Sequence, residues 1–112
     1  MQGVNCSLIP MTEPGFSFPL VVNVLIENEF TSLMVLKRGS DVVAYTNVCP
    51  HQGRRLDYAP GQLLLKDESV ICPAHGAVFN VADGLCTQGP CKGESLKSYR
   101  CELLPEAIQV YW

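Results

Sequence analysis

The chain has 112 residues, 47% of them hydrophobic and 17% charged, with a formal net charge of −3. That is the size of one domain, 1–112, with a modest core, and its acidic balance disfavours nucleic-acid binding, which wants a basic face. The first ten residues have no basic start, and the longest apolar stretch nearby, 18–26, is interrupted by Pro19 and Asn23, short of the ~20 residues of a membrane helix; a cytoplasmic protein with no membrane partner is expected.

Residues 1–17 hold Pro10, Pro14 and Gly15 and little periodicity, and are expected as an irregular N-terminal arm or an edge cover. Stretch 19–26 is rich in Val and Ile and reads as a strand, 31–37 as a second and 42–48 as a third. Gly39 and Asp41 make the last two a hairpin. Shorter strands are predicted at 63–65, 69–71 and 77–81, with Asp83-Gly84 as a hairpin turn. Stretches 96–104 and 107–112 form a closing hairpin across Pro105-Glu106. No amphipathic helix longer than two turns is predicted. Many short strands with frequent turn signals point to an all-β antiparallel sandwich or barrel.

The chemistry concentrates in four residues. Cys49-Pro-His51 is followed, after twenty residues, by Cys72-Pro-Ala-His75, and these are the only histidines in the chain. Each pair falls on a short loop after a predicted strand. Proline stiffens each loop, and Gly53 and Gly76 allow tight turning. Two loops that each offer one thiolate and one imidazole suit a Rieske-type [2Fe–2S] cluster, in which two cysteines bind one iron and two histidines the other. Structural zinc also accepts two cysteines and two histidines, but finger-type sites place both cysteines before both histidines. A degenerate remnant without a cluster is the other alternative, and all four ligands are present.

The fuller pattern is Cys49-Pro-His51-x-Gly53-x-x-Leu56, Gly61, Cys72-Pro-x-His75-Gly76-x-x-Phe79, Gly84 and Gly89-Pro90. With the strands on both sides it resembles the soluble Rieske ferredoxins over 18–112. The resemblance implies a three-sheet all-β fold with a two-loop cluster-binding subdomain at one tip. Cys49, His51, Cys72 and His75 would hold one [2Fe–2S] cluster, Gly89-Pro90 would cover it as a third loop, and the histidine edges would face solvent. It implies a one-electron carrier, with a reductase as donor and a terminal oxygenase or other redox protein as acceptor. Alternatives are an accessory subunit like the nitrite reductase small subunit, or a redox sensor. A catalytic oxygenase is opposed, because it needs a second iron site and both histidines are committed.

High-potential relatives offer a serine hydroxyl and a tyrosine hydroxyl where this chain has Ala77 and Phe79, and a loop-linking disulfide where it has Arg54 and Ala74. A potential of roughly −150 mV is therefore expected. Cys86 and Cys91 flank the covering loop and are read as two packed thiols or as a disulfide or redox-active pair. Cys6 and Cys101 are read as unpaired, Cys101 with a buried place in its strand. Arg54 and Arg55 are either a solvated pair or a basic rim near the cluster. Tyr58 and Phe79 are expected to pack, and Trp112 to close the core.

Overall fold

The computed structural model describes residues 5–14, 16–50 and 53–112. Twelve strands run β1 Cys6–Pro10, β2 Leu20–Ile26, β3 Glu29–Arg38, β4 Asp41–Thr46, β5 Asp57–Ala59, β6 Gln62–Lys66, β7 Ser69–Ile71, β8 Val78–Asn80, β9 Cys86–Gln88, β10 Ser98–Tyr99, β11 Cys101–Leu103 and β12 Ala107–Tyr111. They pair antiparallel in three sheets: β1-β12-β11, β10-β4-β3-β2 and β5-β6-β7-β8-β9. The described residues contain no helix.

The four-stranded sheet is the middle layer, and the sequence says why. A strand covered on one face alternates apolar and polar residues, whereas one covered on both does not. In β3 the run Leu33, Met34, Val35, Leu36 is buried throughout, as is Val42, Val43, Ala44, Tyr45 in β4. Leu33, Val35, Val42 and Ala44 pack with Ile9, Ile108 and Val110 of the three-stranded sheet. Met34, Leu36, Val43 and Tyr45 pack with Leu56, Val70 and Phe79 of the five-stranded side. This second core also holds Cys49 and Cys72, so the candidate ligands are rooted in the main packing layer.

The turns follow local chemistry. β2 and β3 are joined by Glu27 and Asn28, both at positive φ (51° and 67°), as a two-residue hairpin turn matched to strand twist requires. At the Asp83-Gly84 turn, Gly84 has φ 76° and the Leu85 N–H donates to Asp83 Oδ1 at 3.0 Å.

Three expectations are corrected. The N-terminal arm is not irregular throughout, because Cys6–Pro10 is a strand paired along its length with β12. The 96–104 strand is two strands in different sheets: β10 pairs with β4, and after Arg100 β11 pairs with β12. Tyr58 does not pack into the core. Its neighbour Asp57 points inward on edge strand β5, which turns Tyr58 outward at 55% exposure. Phe79 is fully buried, and Trp112 packs against the core shared with the three-stranded sheet, as expected.

Candidate metal centre

Two loops present the predicted ligands, one between β4 and β5 and the other between β7 and β8. Their backbones repeat one design. The Cys49 N–H donates to Arg54 O at 2.7 Å, and the Gly53 N–H to Cys49 O at 2.9 Å. The Cys72 N–H donates to Ala77 O at 2.8 Å, and the Gly76 N–H to Cys72 O at 2.9 Å. Each loop thus closes over its cysteine at the same spacings. Each needs a glycine in the left-handed region to do so: Gly53 has φ 69° and Gly76 φ 73°.

The two thiols are sealed, Cys49 at 3% and Cys72 at 1% exposure, whereas His75 is exposed. His51 lies outside the described residues. Among those described, no three Cys, His, Asp or Glu side chains gather as they would around one ion. A Rieske cluster asks for something different, a cysteine pair for one iron and a histidine pair for the other. A buried thiol pair beside an exposed imidazole fits that division.

The ends of the first loop are clamped by residues that sequence reasoning missed. Asn47 is fully buried. Its Oδ1 accepts from the Leu56 N–H at 2.8 Å, its Nδ2 donates to Ser32 Oγ at 3.3 Å, and its own N–H donates to Ser32 O at 2.9 Å. One side chain therefore ties the residue before Val48-Cys49 to the residue after Arg55. Next to it, Arg55 Nε and Nη2 hold the two oxygens of buried Asp57 at 2.8 and 2.9 Å, and the Gly61 N–H donates to Asp57 Oδ2 at 3.2 Å. Arg55 is thus solvent-exposed but paired with Asp57, rather than a free rim charge. The pair joins the loop to the first residue of β5, and the sequence gives no signal for it.

This pair gives a pH dependence. The Arg55 guanidinium, helped by Asn47 and the Gly61 N–H, holds the Asp57 carboxyl well below the usual carboxylate range. A depressed folded-state pKa favours the ionised form, so its stabilisation is complete above the unfolded value of about 4 and is lost as the pH falls below it. The melting temperature should therefore be insensitive to Asp57 from neutral pH down to about pH 5 and fall below about pH 4. Asp57→Asn should melt lower at neutral pH with a flatter acid limb. An unchanged acid limb in that variant would contradict this reading.

The third loop lies against the second. Gly89 has φ 101°, and a Cβ there would stand 2.8 Å from Ala77 Cα and 3.2 Å from its N. The backbone following Cys72 is therefore in contact with the Gly89-Pro90 loop, and only glycine fits at the crossing.

Comparison with known proteins agrees with this geometry. The family model of the Rieske [2Fe-2S] domain matches residues 19–101. The chain belongs to that family. A Rieske domain carries a [2Fe–2S] cluster, and the cysteines and histidines of the two loops are the right kind and number of donors for it. Among solved structures, this Rieske chain is similar to the ferredoxin of carbazole 1,9a-dioxygenase from Nocardioides aromaticivorans IC177, at 25% identity and TM-score 0.62, with 82% of this chain and 84% of that one covered. It is similar to a Sphingomonas yanoikuyae B1 ferredoxin at 22% identity and TM-score 0.65, covering 84% and 86%. It also matches a chain of the reduced complex between oxygenase and ferredoxin in carbazole 1,9a-dioxygenase, at 14% identity and TM-score 0.71. There 95% of this chain is covered, but it spans only 28% of that chain. A comparison with curated proteins finds no match.

Proposed function

We propose that the protein is a one-electron carrier whose Cys49, His51, Cys72 and His75 hold a Rieske [2Fe–2S] cluster, taking electrons from a reductase and passing them to a terminal oxygenase or similar enzyme. The observation that carries this reading is the pair of loops built to one hydrogen-bonding design, each closing over a sealed cysteine. The similarity to a dioxygenase ferredoxin over most of both chains supports the oxygenase as acceptor. When bound, the cluster supplies a one-electron couple. The chain's own residues do the rest. The core that holds Cys49 and Cys72 anchors both loops, the Asn47 clamp fixes the first, the Gly89-Pro90 loop screens the second from water, and exposed His75 offers the short route to a docked partner. The cytoplasm is the proposed location, a compartment whose thiol pool keeps most protein cysteines reduced.

The test is reconstitution. A flavoprotein reductase and its nicotinamide donor are mixed with cytochrome c as acceptor, with and without the protein. Reduction that scales with added protein and disappears with His75→Ala supports the proposal. A rate indifferent to the protein overturns it.

The proposed potential is low. Ala77 and Phe79 are buried beside Cys72 and bring no hydroxyl. Hydrogen bonds to the cluster sulfurs favour the more negative reduced state and raise the potential. A bond that strengthens by about 1.4 kcal/mol on reduction is worth about 60 mV in a one-electron couple. Ala77→Ser is expected to raise the midpoint by roughly that amount, and adding Phe79→Tyr to raise it further. Titration by optical spectroelectrochemistry checks this, and an unchanged midpoint in both variants would refute the assignment of these positions.

A further inference from the structure

The covering loop carries two cysteines that the site above does not use. The chain enters β9 at Cys86, leaves it at Gln88, turns through Gly89 and Pro90, and reaches Cys91. Backbone bonds close the turn: the Gly93 N–H donates to Cys86 O at 3.0 Å, the Cys86 N–H to Glu94 O at 2.8 Å, and the Glu94 N–H to Cys91 O at 2.9 Å. They set the two sulfurs 3.2 Å apart. Cys91 donates to Cys86 Sγ, and Cys86 donates onward to Gln88 O at 3.2 Å. Both side chains are 1% exposed, and both lie in the core that holds Cys49 and Cys72.

A disulfide requires sulfurs about 2.05 Å apart. The pair is thus in van der Waals contact, within a short contraction of bonding, and at opposite ends of the loop that screens the ligands. We propose that Cys86 and Cys91 form a reversible disulfide that closes the base of the Gly89-Pro90 loop, which lies against the second ligand loop. The oxidant is a low-molecular-weight disulfide. One cysteine thiolate attacks it, forming a mixed disulfide and releasing one small thiol. The other cysteine then displaces the second small thiol. Two protein thiols are oxidised, one small disulfide is reduced to two thiols, and the protons leave with them; a dithiol reverses the exchange. With the loop closed both thiols are sealed from solvent, out of reach of a small disulfide. The pair therefore stays reduced while the loop is closed and reacts when the loop lifts in a local opening. Closing the loop covalently limits that opening, so the stapled protein should release its cluster more slowly.

The test uses the cluster-containing protein incubated with glutathione disulfide, alkylated in denaturant and digested with trypsin. Cys72, Cys86 and Cys91 fall on one tryptic peptide, 67–92. The expected peptide after oxidation carries one label, on Cys72, has Cys86 joined to Cys91, and regains the other two labels after a dithiol. Cluster release to an iron chelator should then slow at least about threefold, a change that Cys86→Ser abolishes. Retention of all three labels, a link involving any other cysteine, or an unchanged release rate in the stapled form would overturn the proposal. The peptide map reads the thiols directly, so its outcome is independent of whether an oxygenase accepts the electrons.

Discussion

Replacing Cys72 with alanine is expected to remove the iron. Bound iron should fall at least about tenfold, with loss of the visible absorption. The reasoning starts from chemistry: a Rieske iron holds two thiolates, and Cys72 is one of the two sealed thiols at the matching positions of the twin loops. Losing one leaves a single thiolate at the matching loop positions. Ala77 and Phe79 bring no donor, and Cys91 is engaged with Cys86. The variant must also be shown to fold, and far-ultraviolet circular dichroism reports that separately. Cys101→Ala is the control. Cys101 lies in β11 and donates to Val42 O at 3.5 Å, on the side of the middle sheet away from the ligand loops, and its loss should leave the iron in place. Iron at wild-type content in a folded Cys72→Ala protein would refute the ligand assignment.

Gly89→Ala should be the most damaging single methyl added to the chain. The new Cβ meets Ala77 Cα at 2.8 Å, and a backbone atom cannot rotate away as a side chain can. The residue would also hold a φ of 101° that L-residues rarely adopt. Overpacking and strain together cost about 2–4 kcal/mol, which for a chain of this size is a fall of roughly 10 °C or more in melting temperature. The covering loop must lift off the second ligand loop, so cluster release should quicken as well. Gly39→Ala provides the contrast. Its φ is 62°, but nothing lies within 4 Å of the added Cβ, so only a conformational cost of about 1 kcal/mol is expected. Equal destabilisation by the two changes in thermal melts would show that the loop contact has no special weight.

The parts of this fold that were legible in the sequence are those with local causes. Apolar runs made β2, β3 and β4. Proline and glycine at Pro50, Gly53, Pro73 and Gly76 marked the ligand loops, and both glycines adopt the positive φ that tight turning needs. The parts that were not legible depend on residues far apart in the chain. Strand β1 ends in Pro10 and buries only Ile9 fully, which is too little signal for a strand. It exists because β12, about a hundred residues later, supplies its hydrogen bonds. The break at Arg100 has no mark in the pattern, since only the pairing partner changes there. Asn47 looked like one more polar residue at a strand end, and its role appears only when Leu56 and Ser32 are brought beside it. Tyr58 was misread because an aromatic near a ligand loop suggests packing, while the register of edge strand β5 turns it outward.

The most direct test of the cluster assignment is an EPR spectrum of the anaerobically purified protein, before and after dithionite reduction, with iron and zinc quantified on the same sample. The account predicts about two irons per chain and a rhombic signal that appears only on reduction. One zinc per chain with a silent spectrum would contradict it.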